Sequence, residues 1–256
     1  MKILAIGDVV GSSGVAHLEE ALWKFRGQVG ADFVVVNGEN ASDVHGLSSK
    51  DAEKILAAGA DVITLGNHSF GHADLFPLLD SEKPILRPAN YPPEAPGRGY
   101  DIFRADGWRI LCVNLGGRFH MDPLADPFDA AEKILEREKG NYDISLMDFH
   151  AEATSEKIAM GYCFDGKFAV LFGTHTHVPT ADTKILPGGT GYVTDLGMCG
   201  PEESVIGCEI EPTIRRLRTL VPVRFHAATG PSLADGVLFT VDEEKNRCVK
   251  VERVKF

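Results

Sequence analysis

Short apolar runs recur along the first two-thirds of the chain: Ile3–Ile6, Phe33–Val36, Val62–Leu65, Ile110–Leu115, Ile144–Phe149 and Val170–Phe172. They are brief and several are rich in Val and Ile, which predicts buried strands rather than helices. Segments with helical spacing lie between them. Val15–Phe25 places Leu18, Leu22 and Phe25 on one face, Ser48–Ala58 opens with Ser48 and Asp51 at capping-box spacing, and Pro127–Glu138 follows a proline-rich turn. The alternation of strand and helix predicts α/β layers. Beyond residue 180 the pattern changes. Thr183–Leu186, Tyr192–Thr194, Val223–His226, Gly236–Val241 and Cys248–Val254 read as strands joined by turns, which predicts a second, antiparallel or mixed sheet. No repeat or linker divides the chain, so residues 1–256 read as one domain.

What ends each run carries the chemistry. The first strand runs into Asp8, the second into Glu39 and Asn40, the third into Asn67 and His68, the fifth into His150, and the sixth into His175 and His177. In open α/β sheets the C-terminal strand edge is where ligands bind, so parallel neighbours bring these residues into one crevice. Each alone has an ordinary explanation as a cap, a turn residue or a core histidine. Together, carboxylate, amide oxygen and imidazole form a donor set for a first-row metal such as Mn, Fe, Co or Zn. Six or seven ligands exceed what one four-coordinate ion uses, which points to two ions sharing a bridging carboxylate. His17, His45, His72, His120 and His226 lack the strand-end setting and read as surface or structural, with His120 near a pocket at most. A dinucleotide site is the rival. The glycines at 7, 11 and 14 do not have the G-x-G-x-x-G spacing, and such a site leaves the histidines without a role.

Composition narrows the partners. The net charge is −11, with 44% hydrophobic and 25% charged residues. An acidic chain is a poor non-specific binder of nucleic acid or of an anionic membrane. No run approaches a membrane span, and Met1–Asp8 reads as a strand rather than a signal peptide. The five cysteines show no C-x-x-C pair, which fits reduced thiols in the cytoplasm.

The motifs Gly7-Asp8, Gly38-Glu39-Asn40, Gly66-Asn67-His68, His150 and Gly173-Thr174-His175-Thr176-His177 resemble those of the calcineurin-like metallophosphoesterases. Val10 replaces that family's usual first histidine, and Glu39-Asn40 stands where an Asp bridges the metals. These departures, with Asn37–Ala41, Arg87–Asn90, Asp148–Lys157, Gly173–Val178 and Pro222–Phe225, resemble the YmdB-like phosphodiesterases over nearly the whole chain. The resemblance implies a four-layer α/β/β/α sandwich, iron or manganese at the site, hydrolysis of a small phosphodiester such as a cyclic nucleotide, and a homo-oligomer. It implies one metal on Asp8, Glu39, Asn40 and His177, and a second on Glu39, Asn67, His150 and His175. Glu39 then bridges and His68 protonates the leaving group. Asp148 and Glu152 are candidates to orient a ligand imidazole. The competing readings are a phosphomonoesterase or nucleotidase, for which Arg87 and Arg118 are the nearest cations, and a non-catalytic regulator that senses a nucleotide.

Overall fold

The structure is a computed structural model and describes residues 1–43 and 45–256. The chain begins with β1 (Lys2–Ile6), β2 (Asp8–Val9), α1 (Gly11–Val29), β3 (Phe33–Asn37), α2 (Ser49–Ala57) and β4 (Val62–Thr64). A 3-10 turn leads into α3 (Phe76–Leu79), followed by β5 (Ile85–Leu86), β6 (Tyr100–Ala105), β7 (Trp108–Gly116), α4 (Pro127–Arg137), β8 (Ile144–His150), α5 (Thr154–Cys163) and β9 (Val170–Thr174). The last part holds β10 (Lys184–Ile185), β11 (Gly191–Val193), β12 (Met198–Pro201), α6 (Ile210–Thr219), β13 (Ser232–Asp242) and β14 (Arg247–Lys255).

Two mixed sheets face each other. One runs β2-β12-β13-β1-β3-β4-β5 with β14 added beside β13, and the other runs β10-β11-β9-β8-β7-β6. The period of two in each strand sorts the core into layers. From β1 and β3, Leu4, Ile6, Val34 and Val36 pack under Leu18 and Leu22 of α1 and Ile55 of α2. Their alternates Ile3, Ala5, Phe33 and Val35 meet Cys112, Ile144, Leu146, Val170 and Phe172 from the second sheet. The far face of that sheet, with Leu111, Val113, Met147 and Phe149, is covered by Ala131 and Ile134 of α4 and Met160 of α5. The result is the expected α/β/β/α sandwich.

The helix starts follow local chemistry. Ser48 accepts the Asp51 N–H at 3.2 Å and donates its hydroxyl to the same carboxylate at 2.9 Å, in keeping with the capping-box spacing. Asp126 caps α4, with Pro127 in its first turn.

Two expectations need correction. The strands beyond residue 180 do not form a sheet of their own. β13 pairs antiparallel with β1, β14 follows it, and β11 joins β9. These are long-range pairings that local pattern does not encode. Val223–His226 is irregular rather than a strand. Its alternation resembles a strand, but Pro222 removes a ladder donor, and only Ala227 makes a bridge, to Cys208.

Candidate metal centre

The parallel order β1-β3-β4 in one sheet and β8-β9 in the other sends five C-terminal strand ends to the same edge. Asp8, Glu39 and His150 have no exposed surface there, and Asn40 is 3% exposed. His150 Nε2 lies 3.1 Å from Glu39 Oε1, 3.1 Å from Asn67 Oδ1 and 3.0 Å from His175 Nδ1. Donor atoms of Glu39, His150 and His175 all fall within 4.8 Å of one another. A second, looser set adjoins it. His177 Nε2 is 3.8 Å from Asp8 Oδ1 and 3.1 Å from Asn40 Nδ2, and that amide nitrogen is 3.2 Å from Glu39 Oε1. All seven residues expected as ligands therefore converge. Asn40 differs in one respect: its amide nitrogen faces the cluster, while its oxygen lies 2.8 Å from His68 Nδ1.

Each histidine is anchored on its outer nitrogen. His150 Nδ1 is 2.9 Å from the Thr174 hydroxyl, which donates in turn to Asp148 at 2.7 Å. His175 Nε2 is 3.0 Å from Glu152 Oε2, and His177 Nδ1 is 2.8 Å from the Ile206 carbonyl. These contacts put the protons on the outer nitrogens and leave the inner ones free to ligate. Asp148 thus acts on His150 through Thr174, and Glu152 touches His175 directly.

The backbone is shaped for this convergence. His175 and His177 have φ of 98° and 63°, a left-handed conformation that costs about 1–3 kcal/mol at each such residue. The N–H of His175 donates to Asp8 Oδ2 at 3.0 Å. Gly66 has no alternative, because a Cβ there would run into the His150 ring and Glu39 Oε2.

The electrostatics argue for cations. Burial lifts the Asp8 carboxyl to about 6 against the opposing pull of His177 and His150. Burial also opposes ionisation of Glu39, yet His150 and His68 hold it well below the usual carboxylate range. For His150, burial is outweighed by Glu39 and Asp8, and its pKa rises to about 9. Burial and the His150 charge push His175 down to about 3. Among the described residues, Oδ1 of Asp8 is buried without a hydrogen-bond partner. A solvent-free carboxylate oxygen with no donor is costly unless a cation meets it, so the residues present fit divalent metal ions.

A cavity of about 330 Å³ opens over the cluster, lined by apolar Val10, Ile206, Cys208 and Phe225 and by polar Asn40, His68, Glu152 and His177. His45, read from sequence as surface or structural, also lines it, with its ring 4.5 Å edge-on from that of His68. No strand-end signal in the sequence marks Ile206, Cys208 or Phe225 as part of this wall. Neither arginine reaches the centre. Buried Arg87 donates to the carbonyls of Pro88, Ala95 and Pro96, and Arg118 pairs with Asp126 at 3.0 Å. His120 is exposed and does not line this cavity. A larger cavity of about 660 Å³ lies along α6 and lacks a cluster of ligand-type side chains.

The chain is similar to known proteins over nearly its whole length. The family model described as YmdB-like protein matches residues 4–254. A 2′,3′-cyclic-nucleotide 2′-phosphodiesterase of Bacillus subtilis is 41% identical over 254 residues, 99% of this chain and 96% of its own. A solved structure of a hypothetical protein from Thermus thermophilus superposes with a TM-score of 0.95 at 40% identity, over 100% of this chain and 99% of the other. A structure titled a novel phosphatase, from Mycoplasma pneumoniae, gives 0.94 at 35% identity over 100% and 93%.

Proposed function

Because this chain belongs to the YmdB-like family, we propose that it is a metal-dependent phosphodiesterase acting on cyclic nucleotides, with 2′,3′-cyclic phosphates ahead of 3′,5′-cyclic ones. The observation that carries the reading is the set of three inward imidazole nitrogens around two buried carboxylates, each imidazole already anchored on its outer nitrogen. Asp8, Glu39, Asn40 and His177 would hold one ion, and Glu39, Asn67, His150 and His175 would hold the other. With its amide turned, Asn40 would offer its oxygen to the ion and its Nδ2 to His68 Nδ1 as a donor. Two divalent or mixed-valence first-row ions, iron or manganese before zinc or cobalt, would supply Lewis-acid stabilisation of the phosphoryl oxygens and acidify the attacking water.

The chain's own residues do the rest. His68 stands on the cavity wall, its side chain 28% exposed. With Nδ1 engaged by Asn40, a proton on Nε2 is free to pass to the leaving alkoxide, help typically worth 10²–10⁴-fold. The apolar wall of Val10, Ile206 and Phe225 gives a nucleoside a surface to lie on and limits water.

Among the described residues, none that lines the cavity is Lys or Arg. A phosphomonoester carries more negative charge than a diester and gains less here, which disfavours the monoesterase reading. A sensing module needs no leaving-group acid, which disfavours the regulatory one. The reading takes residues 1–256 as one domain, since both sheets contribute ligands. It includes a reducing, cytoplasmic setting, which the five free cysteines fit, and self-association of the chain. Among the described residues no helix is long and apolar enough to cross a membrane. The test is hydrolysis of bis-p-nitrophenyl phosphate by protein loaded with Mn²⁺ and by protein stripped with chelator. Release of nitrophenol only with metal supports the proposal. No release from the metal-loaded protein contradicts it.

A further inference from the structure

The loop after β7, residues 117–126, leaves the strand edge beside the centre and supplies none of the expected ligands. It is pinned in place rather than frayed. The Gly117 N–H donates to the His150 carbonyl at 2.8 Å, and a Cβ on Gly117 would lie 2.5 Å from that of Ala151. The Arg118 N–H donates to both oxygens of Glu156, at 3.0 and 3.2 Å, and Glu156 is only 5% exposed. The Glu152 N–H donates to Met121 Sδ at 3.3 Å. His120, with φ of 61°, turns the chain between these anchors. This firmly held loop nevertheless leaves Phe119 64% exposed, on a groove of about 450 Å³ lined also by Arg118, Met121, Pro123 and Phe128.

Strand order fixes where the groove lies. In the second sheet β8 stands between β9 and β7. The apolar lining of the metal cavity adjoins the β9 side, where the Ile206 carbonyl meets His177. The groove adjoins the β7 side. The centre, at the end of β8, is therefore flanked by two apolar surfaces. Glu152 links the centre to the groove, because its carboxylate meets His175 in the metal cavity and its backbone holds Met121. Phe119 is two residues beyond Gly117, so their Cα atoms are within about 7 Å, a span that one nucleotide covers.

We propose that this groove receives a second nucleoside, and that the protein also cleaves linear dinucleoside phosphodiesters. The scissile phosphate sits at the centre, one base stacks on Phe119, and the other nucleoside lies on Val10, Ile206 and Phe225. The inference rests on the phosphodiesterase reading and extends it from cyclic to linear diesters. A cyclic mononucleotide has a single nucleoside and no part to place on Phe119. Stacking on an exposed aromatic ring binds any base, since every base has a π-face. Arg118 and Asp126, paired at 3.0 Å on the groove, offer N–H donors and a carboxylate acceptor to the base edge. In the reaction, water adds at phosphorus and loses a proton to solvent. One P–O ester bond breaks, and the leaving oxygen takes a proton from His68. The products are a nucleoside and a nucleoside monophosphate.

The probe is ApA, two adenosines joined by one 3′–5′ phosphate. Metal-loaded wild type should cleave it to adenosine and AMP, alongside 2′,3′-cyclic AMP. Phe119→Ala should lower kcat/KM for ApA about 5–150-fold relative to that for the cyclic nucleotide, and Phe119→Trp should restore the ratio. A second readout needs no turnover. In stripped protein labelled at its methionine methyls, ApA should shift the Met121 resonance and 2′,3′-cyclic AMP should not. Cleavage of 2′,3′-cyclic AMP without cleavage of ApA, a Phe119→Ala loss equal on both substrates, or a Met121 resonance unmoved by millimolar ApA would overturn this inference and leave the phosphodiesterase reading standing. Failure of the metal-loaded wild type on both substrates would overturn that reading as well.

Discussion

Lys157 Nζ lies 2.7 Å from Asp195 Oδ2, and neither side chain has any exposed surface. The same oxygen accepts the Thr176 N–H at 3.1 Å and the Thr176 hydroxyl at 2.8 Å, while Oδ1 accepts the Gly197 N–H at 2.9 Å. Thr176 sits between the two left-handed histidines, so this buried pair fixes the turn that aims His175 and His177. Replacing Asp195 by Ala leaves a buried ammonium and three unmet donors. We expect a loss of about 3–5 kcal/mol in denaturant unfolding, with a fall in metal bound per chain. Unchanged metal content in the folded variant would separate the pair from the site.

His68→Ala removes a group on the cavity wall that the proposed assignment does not count among the ligands. Metal content by mass spectrometry should stay at the wild-type value. Turnover of a cyclic nucleotide, whose leaving group is a poor alkoxide, should drop about 10²–10⁴-fold. Bis-p-nitrophenyl phosphate, with a good leaving group, should lose far less. Equal losses on both substrates would remove the acid role, and loss of metal would make His68 a ligand.

Metal uptake by stripped protein should release protons. With its pKa near 9, His150 is protonated at neutral pH until a metal displaces that proton. Asp8, near 6, adds a second proton as pH falls through that value, whereas His175, near 3, is already neutral. Affinity should therefore rise with pH up to about 9, more steeply below about 6. Calorimetry in buffers of different ionisation enthalpy reads the count directly. Uptake with no proton release at pH 7 would contradict the placement of His150 at the metal.

Glu152 lines the cavity over the centre and touches His175 at 3.0 Å. Glu152→Ala should weaken one of the metal-binding steps by about 10–100-fold, as loss of an orienting carboxylate does elsewhere. A metal titration that matches wild type would mean that His175 is held without it.

The convergence of these side chains is legible in the sequence because each follows an apolar run, and parallel strands place their C-terminal ends together. Asp8, Glu39, Asn67, His150 and His175 needed only that rule. Lys157 and Asp195 were not legible as partners. They lie 38 residues apart on α5 and a loop, and nothing local marks a lysine as buried. The β13–β1 pairing joins the two ends of the chain, and strand pattern alone does not choose a partner at that distance. His45 reads as an ordinary loop histidine until the fold sets its ring beside His68. Helix α6 has helical spacing at Ile210, Ile214 and Leu217, but that face meets solvent rather than the core.

The most direct test of the account combines metal content with turnover of 2′,3′-cyclic AMP in one preparation. We predict that protein reconstituted with Mn²⁺ or Fe²⁺ binds two ions per chain and opens the cyclic phosphate to a nucleoside monophosphate, that chelator stops the reaction, and that Glu39→Ala loses at least one ion together with activity. Protein that carries two ions and leaves 2′,3′-cyclic AMP intact, or that cleaves it equally well after stripping, would contradict the account.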